Sequence, residues 1–489
     1  MSEHSNPQLN QNCAAVKQFQ LVAEHKLKDL RDRSKITYAL HTLLTVIVLA
    51  KMAGCASAEK ISSFWAMNLE GLKSFIYGLG DEIPTGQTLR RVISILNKEN
   101  LLNFFTVYFL TYYAKGSKSI FETGRPLPLE ERDVIGADGQ NIRSTNLRRI
   151  DQDGKVRKHS GSDVVTLYST KFGLTLCQIV KDKKNQEAQA ISEMLECVNI
   201  SGTILAWDAL NTRPKLLQEV VDHEADFVVV VKDNNGDTKE ELEDTFSFIE
   251  RTHDEAFTEQ MLTSERHDSG HGRIESRVLK VLPAECLSRE FRRKWPMVNS
   301  VYQVITTRMD KLDGKISKET ESVRYYLSSL LIDYEDMDYA SKIQNIILQR
   351  WRIEIEQHYA LDVFFDQDRL PMRNQRFIAN NTFVTKMAYN ILSFVKHKIS
   401  ELGGKDVSMP KLQLFCNNVS TGFAFMKSYI ENDAQPLTEL EILYRLRILK
   451  EPEPVDEKEH VIIVKDQSPR TPMEAFILRH SRKRPSRKK

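Results

Sequence analysis

Three acidic residues in this chain stand where carboxylates can support metal-assisted chemistry. Asp138 closes the short apolar run Val134-Ile135-Gly136-Ala137, and Asp208 closes Thr203-Ile204-Leu205-Ala206-Trp207. Side chains from neighbouring strands converge at the carboxyl edge of such a sheet. If these two strands are adjacent, the carboxylates face each other and repel unless a cation lies between them. A hard divalent ion with oxygen ligands suits that place; the alternative is two strand-ending aspartates that cap loops. The third residue, Glu354, lies in Arg350-Trp351-Arg352-Ile353-Glu354-Ile355-Glu356-Gln357-His358. On an α-helix it shares a face with Arg350 and His358. Beside that face runs an apolar stripe, Ile347, Trp351, Ile355 and Tyr359, expected to pack on the sheet. Glu356 falls elsewhere and can pair with Arg352 on the solvent side, so Glu354 is the better ligand. A plain Arg350–Glu354 surface pair is the alternative.

The elements around these residues follow from periodicity. Residues 16–115 are helical throughout, with a turn at Gly80 to Pro84 and a capping Thr85 or Thr88 before the helix that carries Arg90 and Arg91. A Gly- and Pro-containing stretch follows. Three strand-like runs then precede alternating helices and strands, which means a mixed sheet with helices on its faces. Residues 255–330 interrupt the alternation with strands at Arg273 to Val281, Asn299 to Arg308 and Ser322 to Leu330. Helical periodicity returns at Ala340. The expected organisation is a helical N-terminal domain (1–115), a linker (116–130), a first core part (131–250), a β-rich insertion (251–335), Glu-bearing core helices (336–400) and a helical C-terminal region with a basic tail (401–489).

Composition bounds what remains. The 489 residues carry 69 Lys and Arg against 67 Asp and Glu, a net charge of +2, which excludes a uniformly basic DNA-coating protein. The charge is clustered instead. Arg143, Arg148, Arg149, Lys155, Arg157 and Lys158 crowd the loop after the first carboxylate strand; Lys26 to Lys35 form a second basic run, and seven of the last eleven residues are Lys or Arg. Such clusters suit phosphate contacts, with a solvated turn as the alternative. Six scattered cysteines without a CxxC pair fit reduced thiols. The polar N-terminus has no signal-peptide core, and the run Leu43 to Ala50 is too short to span a bilayer. A soluble, intracellular protein with no membrane partner is expected.

The motifs taken together resemble one family. Asp138-Gly139-Gln140-Asn141-Ile142-Arg143 is similar to the "DGK-x-x-R" strand end of DDE transposases of the ISAs-type, H-repeat-associated group, within the wider IS-four superfamily. Asp208-Ala209-Leu210-Asn211-Thr212 resembles its "D-A-x-x-T", and Val231-Lys232-Asp233-Asn234 its "L-K-x-N". His271-Gly272-Arg273-Ile274-Glu275 resembles "H-G-R-I-E", and Arg324-Tyr325-Tyr326-Leu327-Ser328-Ser329-Leu330 resembles "R-Y-Y-I-S-S-L". The stretch from Arg350 through Phe365 and Asp368 resembles "H-W-x-I-E … L-D-V-x-F-x-E-D". These motifs occur in family order over residues 25–400.

The resemblance implies an α/β, ribonuclease-H-like mixed-sheet core with a β-rich insertion between the second Asp and the Glu. It implies that Asp138, Asp208 and Glu354 are both catalytic residues and metal ligands. They would hold two Mg²⁺ ions, with Mn²⁺ as a substitute, about 3.5–4 Å apart. The activity would be cleavage of insertion-sequence ends and their joining to target DNA, by cut-and-paste transposition on double-stranded DNA, by a homodimer. Arg350 would contact a phosphate near the cleaved bond, and His271 and Arg273 would also meet DNA. The N-terminal helices would be a DNA-binding domain, with Arg90 and Arg91 among its contacts, in a cytoplasmic, nucleoid-associated protein with no small-molecule substrate. Trp295, beside Pro296, is considered as a base-stacking group. The chain departs from the group at Gln140 (for Lys), Arg350 (for His), Ile355 (for Asn) and Gln367 (for Glu). None of these removes a carboxylate, but they leave a second reading open: a catalytically inactive, domesticated DNA-binding descendant.

Overall fold

The computed structural model describes residues 14–116, 127–145, 147–150, 156–159, 161–181, 186–270, 273–312, 315–369, 374–402 and 407–419. Among the described residues, six α-helices precede the first strand: α1 (Ala14–Lys26), α2 (Leu40–Met52), α3 (Ala58–Met67), α4 (Leu69–Phe75), α5 (Gly86–Ile95) and α6 (Lys98–Gly116). Thr85 caps α5 by accepting from the Thr88 amide at 3.3 Å.

The sheet begins with β1 (Val134–Asn141), then β4 (Asp163–Ser169) and β5 (Leu174–Lys181). Between β1 and β4 the basic stretch is not a loop. It forms a two-stranded hairpin, β2 (Leu147–Ile150) and β3 (Val156–His159), with Arg148 opposite Lys158 and Arg149 opposite Arg157. Helix α7 (Glu187–Leu195), β6 (Ile204–Trp207), α8 (Pro214–Asp222), β7 (Asp226–Val231) and α9 (Gly236–Thr252) follow. Strand β4 is antiparallel to both β1 and β5, whereas β1, β6 and β7 are parallel. That is the ribonuclease-H-like arrangement.

The expected insertion contains one strand more than its pattern suggested, because β8 (Leu262–Gly270) is polar and mostly exposed. It pairs with β9 (Arg273–Pro283), followed by β10 (Ser300–Leu312) and β11 (Lys315–Ser328). Strand β11 pairs antiparallel with β7, so these strands continue the core sheet into one nine-stranded order, β5-β4-β1-β6-β7-β11-β10-β9-β8. After β11 come α10 (Tyr339–Gln349), a π-helical turn (Ile353–His358), α11 (Tyr359–Val363), α12 (Gln375–Glu401) and α13 (Met409–Asn417).

Both faces of the central strands are covered, which is why β7 reads as an unbroken apolar run. Leu205, Trp207, Phe227 and Val229 face α7, α8 and α9 through Met194, Leu217 and Phe246. The alternate residues, Ile204, Ala206, Val228 and Val230, face α10 through Ile343 and Ile347. Farther along the sheet, Val164 and Tyr168 join a core that α12 shares with α1, α2, α5 and α6. Asn380 of α12 donates to the Ile93 and Leu96 carbonyls at the end of α5, at 2.7 and 2.9 Å. Among the described residues, no helix is long and apolar enough to cross a membrane.

Candidate active site

Strand alternation decides where the first two carboxylates point. Val134, Gly136 and Asp138 share one face of β1; Ile204, Ala206 and Asp208 share the same face of the neighbouring β6. Ala137 pairs with Trp207 at the end of the parallel ladder, so the two aspartates leave the sheet side by side. The covering element on that face is the π-helical turn. A Cβ on Gly136 would lie 3.5 Å from the Ile353 Cβ, which places the residue before Glu354 directly over the strand that bears Asp138.

The turn also explains why the expected apolar stripe fails. Ile347 is buried, but Ile355 and Tyr359 are 68% and 55% exposed. The Tyr359 amide reaches the Glu354 carbonyl five residues back, and each such turn holds more residues than an α-turn. The phase therefore shifts, and Ile353, Gln357 and Leu361 point inward with no exposure. Trp351 is half-buried rather than core. Arg350 lies 4.2 Å and Arg324 5.4 Å from its ring centroid, a cation–π sandwich. Glu356 does pair with Arg352, at 2.7 Å. It is less solvent-facing than expected, because the Tyr168 hydroxyl donates to it at 2.8 Å.

Each carboxylate has a cationic or basic neighbour. Arg350, nearly buried, stands 3.7 Å from Glu354 and acts on both Asp138 and Asp208, so it lies among the three. Lys232, at the end of β7, has its Nζ 2.8 Å from both carboxylate oxygens of Asp208. The Ala209 amide donates to Asp208 Oδ1, also at 2.8 Å. Partial burial would raise the Asp208 carboxyl, but Lys232 and this amide hold it below its ordinary value. Asp138 behaves oppositely. Burial, then the neighbouring charge of Glu354, push it up to about 7. His358 Nδ1 is 3.6 Å from Asp138 Oδ2, and burial drives the imidazole down to about 3, so that neighbour is neutral. The charge of Arg350 opposes that rise without cancelling it, which leaves Asp138 short of positive charge.

That shortage and the all-oxygen donor set fit a hard divalent cation. Among the described residues, no three His, Cys, Asp or Glu side chains are grouped closely enough to hold an ion as they stand. Asp208 and Glu354 face Lys232 and Arg350 instead.

The other expected residues are dispersed. Arg143 is exposed beside the site, its amide 2.9 Å and its Nε 3.4 Å from Asp368. Gln140 does not face outward. It donates to Asp362 at 3.0 Å and accepts from Gln367 at 3.3 Å, so two departures from the family motif touch each other as an amide pair. Arg148, Arg149, Arg157 and Lys158 lie on the β2–β3 hairpin, whose side chains are outside the described residues, as are Lys155, His271 and the basic tail. Arg273 pairs with Glu275 at 3.1 Å on β9. Arg90 pairs with Glu59, and Arg91 is exposed on α5. Trp295 cannot stack a base. It has no exposure, and its indole donates to Thr238 at 3.1 Å.

Several residues around the carboxylates escaped the sequence reading. Lys232 was visible only as part of a strand-end motif, one strand beyond Asp208. Glu187, at the start of α7, acts on Asp138 and accepts from Asn211 at 2.9 Å. The fully buried Lys386 of α12 donates to Thr166, and nothing in its helical neighbourhood marked it.

Comparison with known proteins gives the same direction. Residues 130–391 match the family model described as "Transposase DDE domain", and residues 24–109 match the one described as "DDE_Tnp_1-associated". The chain is 26% identical over 372 residues to "Putative transposase YncI" of Escherichia coli O157:H7, covering 75% of this chain and 85% of the relative. It is likewise 26% identical to "H repeat-associated putative transposase YhhI" of Escherichia coli K12, over 75% of this chain and 88% of the relative. Among solved structures, a piggyBac transposase synaptic complex with hairpin DNA aligns over 94% of this chain and 86% of its own, at 10% identity and a TM-score of 0.34. With the DDE domain matched across more than half of its length, the chain belongs to the DDE transposase family.

Proposed function

We propose that this protein cleaves the ends of an insertion sequence and joins them to target DNA by divalent-metal-dependent phosphoryl transfer, as a dimer that brings two ends together. The observation that carries the reading is that Asp138 and Asp208 leave neighbouring strands on the face that the Glu354 turn covers, with Asp138 pushed up to about 7 by burial and by Glu354. An excess of negative charge at a strand edge is costly unless a cation joins it.

Asp138, Asp208 and Glu354 would hold the ions, Mg²⁺ or in its place Mn²⁺. When bound, the ions supply Lewis-acid polarisation of a phosphoryl oxygen and neutralise developing charge. The chain's own residues do the rest. Arg350 is fixed by stacking on Trp351 and presents a planar donor group among the carboxylates, where it can orient a phosphate. The β2–β3 hairpin leads directly from the Asp138 strand, and its four basic positions supply sequence-independent phosphate contacts. Arg143, Arg90, Arg91, Arg273 and His271 are further DNA-contact candidates.

The test uses labelled end DNA, target plasmid and Mg²⁺ with the wild type and with Asp138→Asn, Asp208→Asn and Glu354→Gln. Cleavage and strand transfer should disappear in all three while DNA binding persists. Metal-independent binding without cleavage in the wild type would instead identify the inactive descendant.

A further inference from the structure

We propose that Lys232 is a resident cation that holds Asp208 until a divalent ion takes the carboxylate, and then passes to a DNA phosphate. The proposal rests on the metal-dependent reading of the site given above.

The ammonium of Lys232 lies 2.8 Å from both oxygens of Asp208, while the Ala209 amide takes a further position on Oδ1. A carboxylate offers about four lone-pair directions, so little of Asp208 is open while the lysine stays. The lysine is nevertheless not what fastens these two strand ends together. Asn234 donates to the Ala209 carbonyl at 2.7 Å, Asn235 to the Thr212 carbonyl at 3.1 Å, and the Thr212 hydroxyl to the Val230 carbonyl at 2.9 Å. These three bonds join the loop after β6 to β7 and the loop that follows it without using a charge. Lys232 can therefore leave Asp208 while both loops keep their places.

The two cations of the site differ in mobility. The Arg350 side chain is 9% exposed and stacked on an indole, whereas that of Lys232 is 54% exposed on a flexible four-carbon stem. A divalent ion arriving at Asp208 finds, in direct contact with it, the ammonium of Lys232, which solvent already reaches. Once displaced, that ammonium remains anchored one strand away, at the edge where a scissile phosphate would lie. Its compact, rotatable charge suits a phosphate oxygen.

The experiment measures Mn²⁺ binding by titration calorimetry and by the paramagnetic signal of the free ion, using the full chain without DNA. Lys232→Met should bind Mn²⁺ about threefold to fivefold more tightly than wild type, the scale of a half-exposed ion pair. Asp208→Asn should bind more weakly. In a second arm, affinity for a short random-sequence duplex is followed against salt, with and without Ca²⁺. With the ion present, Lys232→Met should lower the slope of log affinity against log salt by about 0.9, the value of one phosphate contact. Without it, the two slopes should coincide, because the lysine is then engaged by Asp208. Thermal melts check that both variants fold; Lys232 is exposed enough for this to hold.

Unchanged Mn²⁺ affinity in Lys232→Met, with loss in Asp208→Asn, overturns the role of the lysine and leaves the site reading intact. Tighter Mn²⁺ binding with no ion-dependent difference in slope overturns the passage to phosphate. Unchanged Mn²⁺ binding in Asp208→Asn overturns the site reading itself.

Discussion

Asp138 and Thr166 face each other across the β1–β4 ladder, and the hydroxyl of Thr166 takes a hydrogen bond from the fully buried Lys386. A carboxylate that resists ionisation and an amine that resists protonation therefore share one buried neighbourhood. Burial, aided by Glu354, raises Asp138 from 3.8 to about 7, and burial lowers Lys386 from 10.5 to about 7. Between pH 3.8 and 7 the folded state binds more protons at Asp138 than the unfolded chain does, so stability falls as pH rises. Between 7 and 10.5 the unfolded chain binds more protons at Lys386, so stability rises again. His358, held down to about 3 by burial, works against the acid limb, so the two contributions are read from urea midpoints as differences between variant and wild type. Asp138→Asn should flatten the acid limb and Lys386→Met the alkaline limb.

Metal binding should also depend on pH. An ion at Asp138 must displace the proton that burial retains, so binding near or below pH 7 should release protons and weaken as pH falls. Calorimetry in buffers of different ionisation enthalpy measures the release directly. Asp138→Asn should abolish it.

Glu354 and Glu356 should separate cleanly by variant. Glu354→Gln should lower cleavage by on the order of a thousandfold, in line with the several kcal/mol that metal-ion catalysis supplies. Glu356→Gln should retain cleavage but lose about 1 kcal/mol of stability, because Arg352 and Tyr168 lose a charged acceptor. Strand-cleavage rates and urea midpoints for the two proteins decide the matter.

Gly139 leaves space that Glu187 uses. An added Cβ there would come 2.4 Å from Glu187 Oε1, and Asn211 holds the other carboxylate oxygen. Glu187 must then swing aside and give up the Asn211 hydrogen bond, so Gly139→Ala should cost about 1 kcal/mol, and Glu187→Ala should recover much of it in the double variant. Additive effects in that cycle would mean the two sites do not touch.

Trp295 should matter to stability and not to DNA. Trp295→Ala should cost about 3–5 kcal/mol, the usual price of emptying a buried aromatic site. Filter-binding affinity for duplex, measured below the melting range, should be unchanged.

The sequence revealed most where local pattern and sheet geometry agree. Val134 to Ala137 and Ile204 to Trp207 announced strands, and the strand period placed Asp138 and Asp208 at their ends on one face. Glu354 was chosen on an α-helical wheel, and the backbone there is a π-helical turn. The stripe containing Ile355 and Tyr359 failed for that reason, since an i→i−5 bond leaves no mark in hydrophobic spacing. Strand β8 was missed because it is an exposed edge, with polar residues on both sides. Lys386 illustrates a different limit. A lysine in the middle of a long helix reads as solvated, and only tertiary packing could show it to be enclosed.

One core runs through the N-terminal helices, α12 and the inner side of β4. Any DNA grip made by α5 is thereby geared to the sheet that carries Asp138, with Asn380 as a tooth between Ile93 and Leu96. The offset between a gripped sequence and the bond to be cut is then set by the fold, as on a fixed gauge. Severing the chain between α6 and β1 would strip the cover from α12, and it would discard that gauge together with the domain.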